Sequence, residues 1–155
     1  MQIKLRALLF AGLFMKVSRK FSFDAAHRLM QHTGKCKHLH GHTYHLWVEL
    51  EGELDENGMV FDFGDIKSGM NVIVDECDHT VLLWEMDTQL IDCFSSMGLR
   101  MKILPFETTA ENLCVWFLEQ YKAKQIVQLK KQGICKLIFR LKETESSEVY
   151  IESFI

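Results

Sequence analysis

Two stretches of alternating residues, 16–27 and 40–51, flank a short polar loop and commit the chain to a β-sheet with one buried face. In the first, Val17, Arg19, Phe21, Phe23 and Ala25 share one parity, and the β-branched and aromatic content suits a strand. The second, His40–Glu51, is rich in Tyr, Trp, Val and Leu. Residues Arg28–Lys37 are polar and contain Gly34, which predicts a loop. A turn follows at Gly52–Gly58, then a short strand at Met59–Phe61.

Beyond this pair the period changes. Ile66, Met70, Ile73, Val74 and Cys77 recur at three- and four-residue spacing, predicting a helix over Asp62–Glu76. Thr88–Met97 is a weaker helical stretch ended by Gly98, and Leu99–Leu104 alternates as a strand before Pro105. Thr108-Thr109-Ala110-Glu111 has the form of a capping box, opening a long helix through Leu113, Val115, Trp116, Phe117 and Tyr121. Ile134–Lys142 and Val149–Phe154 alternate about a polar link, Glu143–Glu148, as a closing hairpin. Strands first and last with helices between them predict an α+β domain, an antiparallel sheet covered on one face by two helices. The hairpin strands leave edges for an assembly to cover.

A chain of 155 residues has room for one domain, and 48% hydrophobic against 25% charged residues is the balance of an ordinary globular protein. A net charge of −3 supplies no field to attract a nucleic-acid backbone. Five scattered cysteines, an odd number, argue against a disulfide framework and for a reducing, cytoplasmic setting. Lys4 and Arg6 followed by Ala7–Phe14 resemble the start of a signal peptide, but no small-residue cleavage site follows. That apolar run is also far short of the ~20 residues that span a bilayer. Residues 1–14 are therefore set aside as an extension, and 15–155 form the expected single domain.

The chemistry is concentrated at the junction of the first two strands. His32, His38, His40, His42, His45 and Cys36 crowd into one short stretch, with His27 just upstream. Alternate strand residues share a face, so His40 and His42 project two imidazoles to one side, with Gly41 between them. His27 at the end of the neighbouring strand would complete a tripod of the catalytic-zinc type with its fourth position open. Spacing leaves alternatives: His38 shares the parity of His40 and His42, Cys36 could close a structural site, and the histidines could serve hydrogen bonds alone. His32 and His45 read as exposed or packing residues, and Trp47, Trp84 and Trp116 as core.

Several ordered motifs carry a family resemblance over Lys16 to the C-terminus: Phe23-Asp24-Ala25-Ala26-His27, Cys36-Lys37-His38-Leu39-His40-Gly41-His42-Thr43-Tyr44, Met59-Val60-Phe61-Asp62-Phe63, Asp78-His79, Thr108-Thr109-Ala110-Glu111-Asn112 and Leu141-Lys142-Glu143-Thr144. Together they resemble 6-pyruvoyltetrahydropterin synthase and its bacterial relative, 6-carboxytetrahydropterin synthase of queuosine biosynthesis. The resemblance implies a T-fold (tunnelling fold) subunit with a four-stranded antiparallel sheet, assembled as a homohexamer with active sites at subunit interfaces. It implies zinc on His27, His40 and His42, leaving His38 out, and a catalytic thiol at Cys36 acting with Asp78 and His79. It also implies a pterin ring anchored by Glu143 and framed by Thr109 and Glu111.

By themselves these residues have plainer readings. Asp78 and His79 sit at a helix end, Glu143 at a hairpin turn and Glu111 in a capping box. The four-residue spacing of Cys36 and His40, with Leu39 before the histidine, resembles the bacterial branch, which implies conversion of 7,8-dihydroneopterin triphosphate to 6-carboxytetrahydropterin with release of acetaldehyde and triphosphate. The biopterin-type elimination of triphosphate and a zinc-stabilised binding protein without turnover are the rival readings.

Overall fold

The computed structural model describes residues 12–155. The expected extension lies, through residue 11, outside the described residues, and the first strand opens at Met15.

The two alternating stretches form β1 (Met15–His27) and β2 (His40–Gly52), paired antiparallel along their whole length, with His27 opposite His40 and Met15 opposite Gly52. Their buried faces carry Phe21, Phe23 and Ala25 from β1 and Tyr44, Leu46, Val48 and Leu50 from β2. α1 (Phe63–Val74) follows, capped by Asp62, whose carboxylate accepts from the amides of Gly64 and Asp65. β3 (Thr80–Trp84), α2 (Thr88–Ser96) and β4 (Met101–Leu104) come next, then α3 (Ala110–Lys131) and the hairpin β5 (Ile134–Thr144) and β6 (Ser147–Phe154). One apolar layer, with Phe117, Tyr121 and Leu113 from α3, Met70 and Ile73 from α1, and Leu137 and Phe139 from β5, fills the space between helices and sheet.

The α+β class matches the sequence reading, while the sheet is larger and of mixed direction. It has six strands in the order β4-β3-β1-β2-β5-β6 instead of four, and β3 pairs in parallel with both β1 and β4. The missed strand β3 is Thr-Val-Leu-Leu-Trp, an apolar run with no alternation to betray it, as strands of parallel pairing read. Met59–Phe61, expected as a strand, is not one. Val60 and Phe61 are buried in the core while the Asp55 amide donates to the Met59 carbonyl and closes a turn. Among the described residues there are three α-helices where two were expected, the additional one being the weak stretch at Thr88, which Asp87 caps.

Two local readings shift by a residue or a face. The cap of α3 is Thr109, accepting from the Asn112 amide at 3.2 Å, so Thr108 and Glu111 do not form the capping box; Thr108 is fully buried instead. Trp47 is no core residue: it lies on the helix-free face between Lys20, 5.0 Å from its ring centroid, and Arg140, at 4.3 Å.

Phe139 is fully buried, with its ring 5.7 Å from that of Tyr121, so Phe139→Ala should cost about 3–5 kcal/mol, read as a lower urea midpoint at fixed protein concentration. The Arg28 guanidinium holds the Asp87 carboxyl below its ordinary range, so this pair stabilises the fold above that range and the contribution fades as pH falls through it. The stability gap between the wild type and Asp87→Asn should therefore be steady down to about pH 5 and shrink below about pH 4, as measured by denaturant titrations across pH.

Candidate metal and substrate site

The β1–β2 register creates the site. With His27 opposite His40 and Ala25 opposite His42, three imidazoles emerge on the helix-covered face at the open end of the strand pair. Ala25 is small enough to leave space across from His42. Below them Phe23 and Tyr44 stack at 5.0 Å and 12°, a rigid apolar floor continuous with the core.

One ring nitrogen from each of His27, His40 and His42 lies within 4.8 Å of the others. Two of the three rings are oriented from behind. His27 Nδ1 is 2.8 Å from the Thr108 carbonyl and His40 Nδ1 is 2.8 Å from the His38 carbonyl, so each donates there and keeps Nε2 as a lone-pair donor. His27 is 1% exposed, and Nε2 of both His27 and His42 is buried without a hydrogen-bond partner. Burial lowers the His42 pKa, which favours the neutral, ligating form of that ring. Three clustered imidazoles, two with orphaned Nε2 atoms and two oriented through Nδ1, form a donor set that suits a zinc ion, so the residues fit the metal that the family resemblance implies.

Of the histidines that spacing left open, His38 is exposed and outside the strand, contributing only its carbonyl. Cys36 sits in a three-residue 3-10 turn, Lys35–Lys37, with no buried residue, and its thiol is not among the clustered donors.

Glu143 stands over the cluster. The sequence suggested a turn residue, but it belongs to β5, on the same face as Leu141 and Phe139, and is half-buried. Its Oε1 is 3.3 Å from His27 Nε2 and 3.7 Å from His42 Nε2, close but not aligned as hydrogen bonds, and it accepts from the Tyr44 hydroxyl at 3.3 Å. His27 in particular holds this carboxyl below the ordinary range, against the opposing effect of burial. Burial and the Glu143 charge push the Tyr44 phenol far above its usual range, so it stays a proton donor to Glu143. Tyr44 had no role in the sequence reading, although it shares the parity of His40 and His42.

Asp78 and His79 do meet, although neighbouring strand residues diverge. His79 has φ +52°, a left-handed conformation rare for a side-chain-bearing residue, and it folds the ring back so that Nδ1 lies 3.0 Å from Asp78 Oδ2. Asp78 is anchored to β1 through its Oδ1, which accepts from the Asp24 amide at 2.9 Å; this bond is the main reason its carboxyl is held below the ordinary range. His79 borders a cleft of about 460 Å³ lined also by Asp24, Ala25, Ala26, Gly41, Thr43, Thr80, Val81 and His42 of the cluster. Asp24, Gly41 and Thr43 have the opposite parity to His27 and His42, yet His42 and Ala25 line the same cleft, which therefore reaches the edge of the histidine cluster. Thr109 has its hydroxyl engaged as the α3 cap, and Glu111 is exposed in the first turn of that helix.

The profile of the 6-pyruvoyl tetrahydropterin synthase family matches residues 16–153. The chain belongs to this family. A relative from Haemophilus influenzae, named 6-carboxy-5,6,7,8-tetrahydropterin synthase, is 40% identical over 115 residues, covering 69% of this chain and 82% of that protein. A protein of the same name from Rickettsia felis is 32% identical over 144 residues, covering 89% and 99%. Among solved structures, the 6-pyruvoyl tetrahydropterin synthase of Plasmodium falciparum superposes with a TM-score of 0.76 at 19% identity, over 92% of this chain and 99% of that one. The fold is thus the T-fold. No helix among the described residues is long and apolar enough to cross a membrane.

Zinc should raise the thermal midpoint and a chelator should reverse the rise, since a ligand at a hundred times its dissociation constant stabilises by about 2.7 kcal/mol. His40→Ala should show neither effect; scanning calorimetry with and without zinc is the check.

Proposed function

We propose that the protein is a zinc-dependent 6-carboxy-5,6,7,8-tetrahydropterin synthase that converts 7,8-dihydroneopterin triphosphate to 6-carboxytetrahydropterin, releasing acetaldehyde and triphosphate. The observation that carries this reading is the three-histidine donor set lying directly beneath the half-buried Glu143 carboxylate. The names of relatives at 40% and 32% identity support the carboxy branch, as does the short Cys36-to-His40 spacing.

Glu143 suits the aminopyrimidine edge of a pterin, because an ionised carboxylate can accept two parallel hydrogen bonds from it. A ring anchored there carries its hydroxylated side chain toward His27, His40 and His42. Zinc, when bound, supplies Lewis-acid polarisation of the side-chain oxygens. Cys36, on the loop between β1 and β2, is the proposed base that removes a proton from that side chain. Asp78 holds His79 Nδ1–H, which leaves His79 Nε2 to pass a proton to and from the substrate. Thr109 and Glu111 are proposed to frame the ring at the start of α3.

The exposed His79 ring, which is not among the clustered imidazoles, fits an assembly in which the Asp78–His79 pair serves a neighbouring subunit's site. Among the described residues β1 pairs with β3 only at Ala25–His27, so the β3 side of Met15–Asp24 has no strand partner there, and β6 leaves a second edge with Tyr150 and Phe154 exposed. A homohexamer built through such edges, working as a lyase in the cytoplasm, is the proposed form. A solution mass equal to a stable monomer would count against it.

Product analysis of the zinc-loaded protein with dihydroneopterin triphosphate should find acetaldehyde and the carboxylated pterin. A pyruvoyl pterin without acetaldehyde would replace this reading with the biopterin-type one. Cys36→Ala should lower kcat by a factor of about 100 or more while binding zinc normally, and full activity in that variant would remove the proposed base.

A further inference from the structure

The chain leaving β1 is held more tightly than a surface loop requires. Three residues in succession after His27 are each tied to a different place. Arg28 donates from Nε to Asp87 Oδ2 at 2.6 Å and from Nη2 to Asp87 Oδ1 at 2.5 Å, the Leu29 amide donates to the Cys36 carbonyl at 2.8 Å, and the Met30 amide donates to Glu107 Oε1 at 2.6 Å. Thr108 joins this frame to the histidine cluster: its hydroxyl donates to the Arg28 carbonyl at 3.3 Å, and its own carbonyl accepts from His27 Nδ1.

We propose that the Arg28–Asp87 fork is a positioning device that holds the Cys36 thiol and the His27 imidazole in one rigid frame. The proposal rests on the functional reading above for the role of Cys36. Asp87 is 3% exposed and also caps α2 through the Leu90 amide at 3.3 Å, so the fork fastens the loop to a helix that otherwise lies apart from the site. An ion pair taken out of water gains little net stability over an apolar pair of the same volume. What a planar, two-point contact adds is direction, because it fixes the orientation of the guanidinium and of the backbone behind it. Cys36 needs that help: its turn buries no residue and Cys36 itself is only half-buried, and its carbonyl is tied back by the amide of Leu29, next to Arg28.

The test uses Asp87→Asn, which breaks the fork; Arg28→Lys, which keeps the charge but not the two-point geometry; and Glu107→Gln, a milder cut at Met30. Each is measured for cobalt(II) binding, for the rate at which iodoacetamide labels Cys36 against the exposed Cys93, and for kcat and KM with the pterin triphosphate. All should still bind one cobalt per chain. Asp87→Asn and Arg28→Lys should lose about tenfold or more in kcat with KM nearly unchanged, and the Cys36-to-Cys93 labelling ratio should shift several-fold. Glu107→Gln should move both in the same direction by less, which keeps the test open where a fork variant does not fold. A lowered thermal midpoint with wild-type kcat and labelling ratio would reduce the pair to a stabilising contact, and wild-type rates in Arg28→Lys would refute the fork. Lack of pterin turnover in the wild type would sink the functional reading alone, since the labelling ratio needs no turnover.

Discussion

The antiparallel register of β1 against β2 is the constraint on which the rest depends. A shift of one residue would send His40 and His42 to the helix-free face and separate them from His27. The register is held by burial along the whole pair, because the same parity that aims the histidines also places Phe21, Phe23, Tyr44, Leu46 and Val48 in the core. The histidine cluster is therefore the end of the hydrophobic face, and the forces that fold the sheet also bring the three imidazoles together. Phe23 stacked on Tyr44 marks the boundary between the two.

Around that face the protein spends buried polar groups on orientation. The Thr108 and His38 carbonyls fix two imidazole rings, the Tyr44 hydroxyl leans on Glu143, and Asp87 grips Arg28. None of these groups adds much net stability, since each replaces a hydrogen bond to water. Each removes a rotational freedom that a site for a metal and a flat substrate has to be without. The left-handed His79 is strain of the same kind, tolerated because the His79 amide is bound to the Asp24 carbonyl at 2.7 Å and Asp78 to the Asp24 amide.

The legible parts of the sequence were those with a period. Both long strands, both main helices and the closing hairpin follow from alternation or three- and four-residue spacing, and so does the sharing of one face by His40 and His42. β3 was not legible, because its short apolar run Val81–Trp84 has no polar phase to mark it. Glu143 looked like a turn residue because charges there are common. Only the observed length of β5 puts it on the inner face beside Phe139 and Leu141.

What the sequence determined by itself was local: which residues alternate, which recur helically, and, through its ordered motifs, the family resemblance. The tertiary structure decided everything that needs a partner distant in the chain. It chose His27 over His38, because only a strand partner opposite His40 brings an imidazole into place, and it brought the Thr108 carbonyl from the start of α3 to orient that ring. It joined Arg28 to Asp87 across the fold and turned the His79 ring onto Asp78 through a left-handed backbone. Spacing along a chain records which face a residue takes; which residues meet across faces and elements is set by the packing of the core.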